Sequence, residues 1–128
     1  MESSGLVVDT NIFIEHLRAK DKTKTALYKI SANPHLQISS VTLYELLMGA
    51  TTDEKWKDVK LLTEDLAILP VTGEIAVAAA KIYLRLRKLN KMIEFRDIFI
   101  AATCIVHGVP LKTKDKKHFS RIQGLKFG

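Results

Sequence analysis

A chain of 128 residues, 47% hydrophobic and 27% charged, carries enough apolar side chain to bury a core and fits one domain over 1–128, which excludes an intrinsically disordered polymer. The start, Met1-Glu2-Ser3-Ser4-Gly5, lacks a basic stretch, and Asp9 interrupts the apolar run behind it; no later run reaches membrane-spanning length, so neither a secretory leader nor a membrane span is expected. A net charge of +6 favours a polyanionic partner, although a solvated basic surface accounts for it equally well.

Leu6-Val7-Val8 reads as a strand ending at Asp9-Thr10-Asn11, and Ile12, Phe13, Ile14 and Leu17 then recur at helical spacing. A second helix is expected over Thr23 to Ala32, stopped by Asn33-Pro34. Leu36-Gln37-Ile38 is a short strand, and Ser39 or Ser40 caps the next helix, which carries Glu45 and ends at Gly49. A helix over Asp53 to Asp65, capped by Thr52 or Asp53, leads to the strand Ala67-Ile68-Leu69 before Pro70. Thr72 opens a long amphipathic helix with a stripe of Ile75, Ala79, Ile82, Leu86 and Leu89, opposite Lys81, Arg85 and Lys88, with Asn90 as its stop. From Asp97, residues Ile98, Ala101, Ala102, Ile105 and Val106 define a further helix closed by Gly108, followed by strands over Val109 to Lys112 and Leu125 to Phe127. Cys104, the only cysteine, lies in that helix among apolar neighbours; it reads as a buried thiol in a reducing, cytoplasmic setting. Short strands alternating with helices argue for an α/β fold with a mostly parallel sheet of four to five strands, flanked by helices on both faces as an α/β/α sandwich.

In such folds functional groups collect beyond the carboxyl ends of the strands. Asp9 ends the first strand, Asp115 follows the strand ending at Lys112-Thr113, Asp97 begins its helix and Glu45 lies about a turn into the helix after Ile38. All four are expected to meet at one edge. Four acids in one pocket repel one another unless a hard cation such as Mg²⁺ neutralises them, and such cations assist phosphodiester hydrolysis. His16, His35, His107 and His118 follow no zinc-ligand spacing. Taken singly, each acid also has an ordinary role open to it: a helix cap for Asp9 and Asp97, a polar turn for Asp115, a solvated helix position for Glu45. Glu45 fits that role least, because Val41, Leu43, Leu46 and Leu47 surround it and its charge calls for a partner.

Val8-Asp9-Thr10-Asn11-Ile12-Phe13-Ile14-Glu15 resembles the first motif of PIN-domain proteins, most closely the VapC toxins of toxin–antitoxin pairs. Leu43-Tyr44-Glu45-Leu46-Leu47-Met48-Gly49 resembles the second motif, Arg96-Asp97-Ile98-Phe99-Ile100-Ala101-Ala102-Thr103 the third, and Thr113-Lys114-Asp115-Lys116-Lys117-His118-Phe119 the fourth. The likeness spans nearly the whole chain in order. It implies metal-binding acids at Asp9, Glu45, Asp97 and Asp115, a hydroxyl near the metal at Thr113, Mg²⁺ or Mn²⁺ as cofactor, cleavage of single-stranded RNA, a homodimer, and a cognate antitoxin that blocks the site. Three departures stand out: Arg96 where a small residue is commoner, His118 where Asp is often found, and Asp115 where many relatives carry Asn.

Lys112, Lys114, Lys116, Lys117 and Arg121 concentrate positive charge beside Asp115, where an RNA backbone would pass. Trp56, Tyr83 and Tyr44 read as packing or dimer-interface side chains rather than base platforms. A response-regulator receiver would need an acceptor Asp after its third strand, and Ile68-Leu69-Pro70-Val71-Thr72 has none; an aspartate-nucleophile phosphatase would need Asp at Asn11. The alternative from another class is a non-catalytic RNA- or antitoxin-binding module, which would have no reason to keep four anions where phosphates approach.

Overall fold

The structure, a computed structural model, describes residues 5–128, so the expectation concerning the leading residues 1–4 lies outside it. Its strands are β1 (Leu6–Val8), β2 (Leu36–Ser39), β3 (Ala67–Leu69) and β4 (Leu111–Lys112), and its α-helices are α1 (Thr10–Arg18), α2 (Ala26–Ile30), α3 (Ser40–Met48), α4 (Asp53–Thr63), α5 (Gly73–Lys88), α6 (Phe95–His107) and α7 (Lys116–Phe119). The strands form one parallel sheet in the order β3-β2-β1-β4.

The sequence of β1 explains its central place. Alternate residues of a strand face opposite sides. Val7 packs with residues of α5 and α6, whereas Leu6 and Val8 pack with residues of α1 to α4. All three are buried, as expected of a parallel strand covered on both faces. Helix α6 is apolar nearly all round, with Ile98, Ile100, Ala101, Ala102 and Cys104 buried, and therefore sits inside the second layer rather than on its rim. Phe13 and Ile38 anchor the first layer without exposure, and truncating Phe13 to Ala there would cost about 3–5 kcal/mol.

Strand order places the candidate site. The crossovers from β1 to β2 and β3 run toward one edge, and the chain then crosses the sheet to put β4 on the other side of β1. A crevice opens at such a reversal, outside the carboxyl ends of the strands. Here it lies between β1 and β4, where Val8 is level with Lys112 and the Asp9 amide donates to the Lys112 carbonyl at 2.9 Å. The residues just past the two strands, Asp9 and Thr113, are thereby fixed side by side.

Several local expectations are refined. The helix expected over Thr23 to Ala32 is a 3₁₀ turn (Lys22–Lys24) and then α2, separated by Thr25, whose hydroxyl caps α2 at the Tyr28 amide. The expected strand over Leu125 to Phe127 is reduced to one parallel bridge between Leu111 and Phe127. Leu89 is the C-cap of α5 and exposed rather than part of its buried stripe. Tyr44, Trp56 and Tyr83 are all exposed, so none packs in this chain's core. Gly108, at φ 65°, closes α6 in the left-handed conformation expected of it.

Candidate active site

Asp9 is buried, and both of its carboxylate oxygens are occupied. Oδ1 accepts from the Thr10 amide and Oδ2 from the Thr113 hydroxyl, each at 2.8 Å. Thr113 Oγ1 in turn accepts from the Asp115 amide at 2.9 Å, so one hydroxyl ties the ends of β1 and β4 to the loop that presents Asp115. Asp115 caps α7 through the His118 amide, and its oxygens lie 2.8 and 2.9 Å from His118 Nδ1.

Glu45 is held from two sides. Oε1 accepts from Thr10 Oγ1 at 2.9 Å, and Oε2 lies 3.5 Å from Arg96 Nε, whose Nη2 is also 3.5 Å from Glu94. Behind Thr10 stands a chain of buried hydroxyls: Thr42 Oγ1 at 3.1 Å and Ser39 Oγ at 3.3 Å from Thr42. A hydroxyl has one proton to give and a carboxylate can only accept. Thr10 therefore donates to Glu45, Thr42 to Thr10 and Ser39 to Thr42, while Ser39 also accepts from the Thr42 amide as the N-cap of α3. The charge foreseen to need a partner thus has a directed relay and an arginine. Arg96 is partly exposed and at 3.5 Å makes a loose pair; Arg96→Ala is expected to change thermal stability by less than about 1 kcal/mol. A larger loss by urea titration would make Arg96 a fold-determining residue.

Asp97 lies in the first turn of α6, yet Glu94 holds the N-cap position and makes no side-chain cap. Its carboxyl is pushed up to about 6, first by burial and then by the charges of Asp9, Glu45, Asp115 and Glu94, with no hydrogen bond among the causes. Burial also raises Asp9, opposed by the Thr113 and Thr10 bonds and reinforced by Glu45 and Asp115. Four acids drawn from four places in the chain therefore feel one another's charge. Asp97 and Asp115 open into a cleft of about 600 Å³ shared with Met92, Phe95 and His118.

The donor set is all hard oxygen, with excess negative charge, which suits Mg²⁺ or Mn²⁺. Among the described residues no three His, Cys, Asp or Glu side chains are gathered tightly enough to enclose an ion. That is compatible with Mg²⁺, which commonly takes one or two carboxylates and keeps waters and substrate oxygens rather than entering an all-protein cage.

The lysines divide. Lys114 pairs with Glu15, and Lys116 stands 5.8 Å from the centre of the Phe127 ring. Lys112 is half-buried in β4, and Lys117 is exposed on α7. Arg121 donates to the Met92 carbonyl at 3.0 Å, bracing the segment that walls the cleft.

The family model described as "PIN domain" matches residues 6–125. The chain belongs to the PIN-domain family. Within it, the chain is 32% identical to ribonuclease VapC1 of Methanocaldococcus jannaschii, covering 98% of this chain and 88% of that one. It is 37% identical to ribonuclease VapC1 of Rickettsia felis, covering 94% and 92%. Among solved structures, VapBC-1 of nontypeable Haemophilus influenzae overlays with a TM-score of 0.83 at 25% identity, covering 96% of both chains. A toxin–antitoxin complex from Klebsiella pneumoniae shows the same fold, with a TM-score of 0.76 at 24% identity over 95% of each chain.

For this PIN domain, the four acids and Thr113 lie where the sequence motifs led one to look. Sequence pattern does not single out Thr10, Thr42 and Ser39 as a relay to Glu45. The available signal was the clustering of small hydroxyl residues at two strand ends, where a partly buried carboxylate would need donors.

Proposed function

We propose that this PIN domain is a divalent-metal-dependent endoribonuclease, the toxin of a VapBC-type toxin–antitoxin pair. The observation that carries the metal-site reading is the convergence of Asp9, Glu45 and Asp115 on half-buried Asp97, whose carboxyl is raised to about 6 first by its burial and then by their charges. Asp9 and Asp97 would hold the principal cation, with Glu45 and Asp115 in support. Mg²⁺ or Mn²⁺ bound there supplies positive charge that acidifies an attacking water and offsets charge on the departing oxygen.

The chain's own side chains set the stage for that chemistry. Thr113 orients Asp9, and Thr10 orients Glu45, each by donating a hydrogen bond to the carboxylate. Lys112, Lys114, Lys116 and Lys117 would follow the RNA backbone, the last two from α7, directly after Asp115. A second cleft of about 250 Å³, lined by Ile14, Leu17, Leu46 and Val59, has Glu45 in its wall; an apolar antitoxin segment seated there would reach the acids. Val77 and Leu84, exposed and seven residues apart on α5, suit a homodimer contact. No helix among the described residues is long and apolar enough to cross a membrane, and we place the protein in the cytoplasm with its RNA.

The test is cleavage of an end-labelled single-stranded RNA with Mg²⁺ or Mn²⁺. Cutting should be abolished by EDTA, restored by excess metal, and lowered about 100-fold or more in Asp97→Asn. Binding of the RNA without cutting under any of these conditions would make the protein a non-catalytic binding module instead.

A further inference from the structure

Phe95 is 66% exposed, more than any other large apolar side chain among the described residues, and Met92 beside it is 40% exposed. Neither joins either core cluster. Both line the same cleft as Asp97, Asp115 and His118. A phenylalanine left in water in the first turn of a helix contributes nothing to this fold, and its ring lies two residues from an acid of the candidate site.

We infer that Phe95, which shares its cleft with Met92, is a nucleobase platform: a base of the bound RNA next to the scissile phosphate stacks on the Phe95 ring. This rests on the reading of the acids as an RNA-cleaving site and adds how the strand is seated there. A base offers a flat π face to any aromatic ring, whatever its identity. The cleft volume lies within the range of about 300–1,000 Å³ typical of ligand sites, enough for a base beside a phosphate. The backbone is also held on one side of Phe95, since Arg121 donates to the Met92 carbonyl. An RNA strand is favoured over a protein segment as occupant because the platform shares its cleft with the acids and lies near the basic α7.

The experiment measures binding of a fluorescent single-stranded RNA of mixed sequence by the full chain in an Asp97→Asn background, so that no strand is cut. Phe95→Ala should weaken binding about five- to 150-fold, with the melting temperature and the salt dependence of binding unchanged, because no phosphate contact is removed. Phe95→Trp should retain affinity, whereas Phe95→Leu, apolar but not planar, should lose it as Ala does. A ribose–phosphate oligomer of the same length without bases should bind all four proteins alike. Unchanged RNA affinity in Phe95→Ala overturns the inference, as does full affinity in Phe95→Leu. So does a Phe95→Ala defect confined to self-association or to binding a protein partner. These outcomes are independent of whether the wild-type protein cuts RNA, so the two readings fail separately.

Discussion

Asp97→Asn is expected to lose RNA cleavage by about 100-fold or more while the metal-free protein becomes as stable as the wild type or more so. The reason is that an ionised Asp97 is a cost to the empty fold. Its carboxyl, ordinarily at 3.8, stands at about 6, raised first by burial and then by Asp9, Glu45, Asp115 and Glu94. A group whose folded value is raised binds its proton more tightly in the folded state. Stability of the metal-free wild type should therefore rise as pH falls from about 6 toward 3.8, and be lowest, with respect to this group, above about 6.

The full difference between 3.8 and about 6 corresponds to about 3 kcal/mol. Solvent screening at this half-buried carboxyl reduces the expected gain in Asp97→Asn at neutral pH to about 1 kcal/mol. Urea titrations of both proteins in EDTA across pH 4.5 to 7.5 would check this, the wild type losing stability with rising pH more steeply than the variant. With added Mg²⁺ the order should invert, because an ion bound only by the folded state stabilises the wild type by mass action. A metal-free Asp97→Asn protein that is less stable by 2 kcal/mol or more would assign Asp97 to the fold, as a first-turn anion favoured by the dipole of α6.

The parts of this molecule that could be read before its structure are those written in local chemistry. Val8-Asp9-Thr10 marks a strand end because a buried apolar run stops at an acid, and Gly108 marks a helix end because it alone there accepts positive φ without strain. The places of the acids just past strand ends led to the expectation that they meet; in the fold Asp9, Glu45 and Asp115 act on Asp97 through their charges, and Thr113 links Asp9 to Asp115 beside the β1/β4 crevice. Other features depend on distances that only the folded chain sets. Thr10 and Thr42 are 32 residues apart and meet because β1 and β2 are neighbours. Helix α7 is four residues long, too short to show a period. Leu89 fits the α5 stripe by spacing but falls on the cap, where it is exposed. The exposure of Phe95 is of the same kind: its composition says core, and only its position at the start of α6 puts it in the cleft.

Thr113→Val should act in the opposite sense to Asp97→Asn, lowering both stability and activity. Valine keeps the shape and removes the hydroxyl, leaving buried Asp9 Oδ2 without its donor and the Asp115 amide without its acceptor. Loss of a buried hydrogen bond to a charged group costs about 1.5–3 kcal/mol, which should appear as a lower urea midpoint with an unchanged m-value. The Thr113 bond is also the first of the two influences that oppose the burial of Asp9, so its removal moves that carboxyl further up. Ionised Asp9 is the form that binds a cation; half-maximal Mn²⁺ binding should accordingly shift to higher pH, and cleavage near neutrality should fall about 10–100-fold, as for other residues that orient metal ligands. Thr113→Ser restores the hydroxyl and should recover most of all three properties. If Thr113→Val binds Mn²⁺ with the wild-type pH profile, the hydroxyl is a strand-end brace alone, and the orientation of Asp9 comes from the Thr10 amide and its packing at the end of β1.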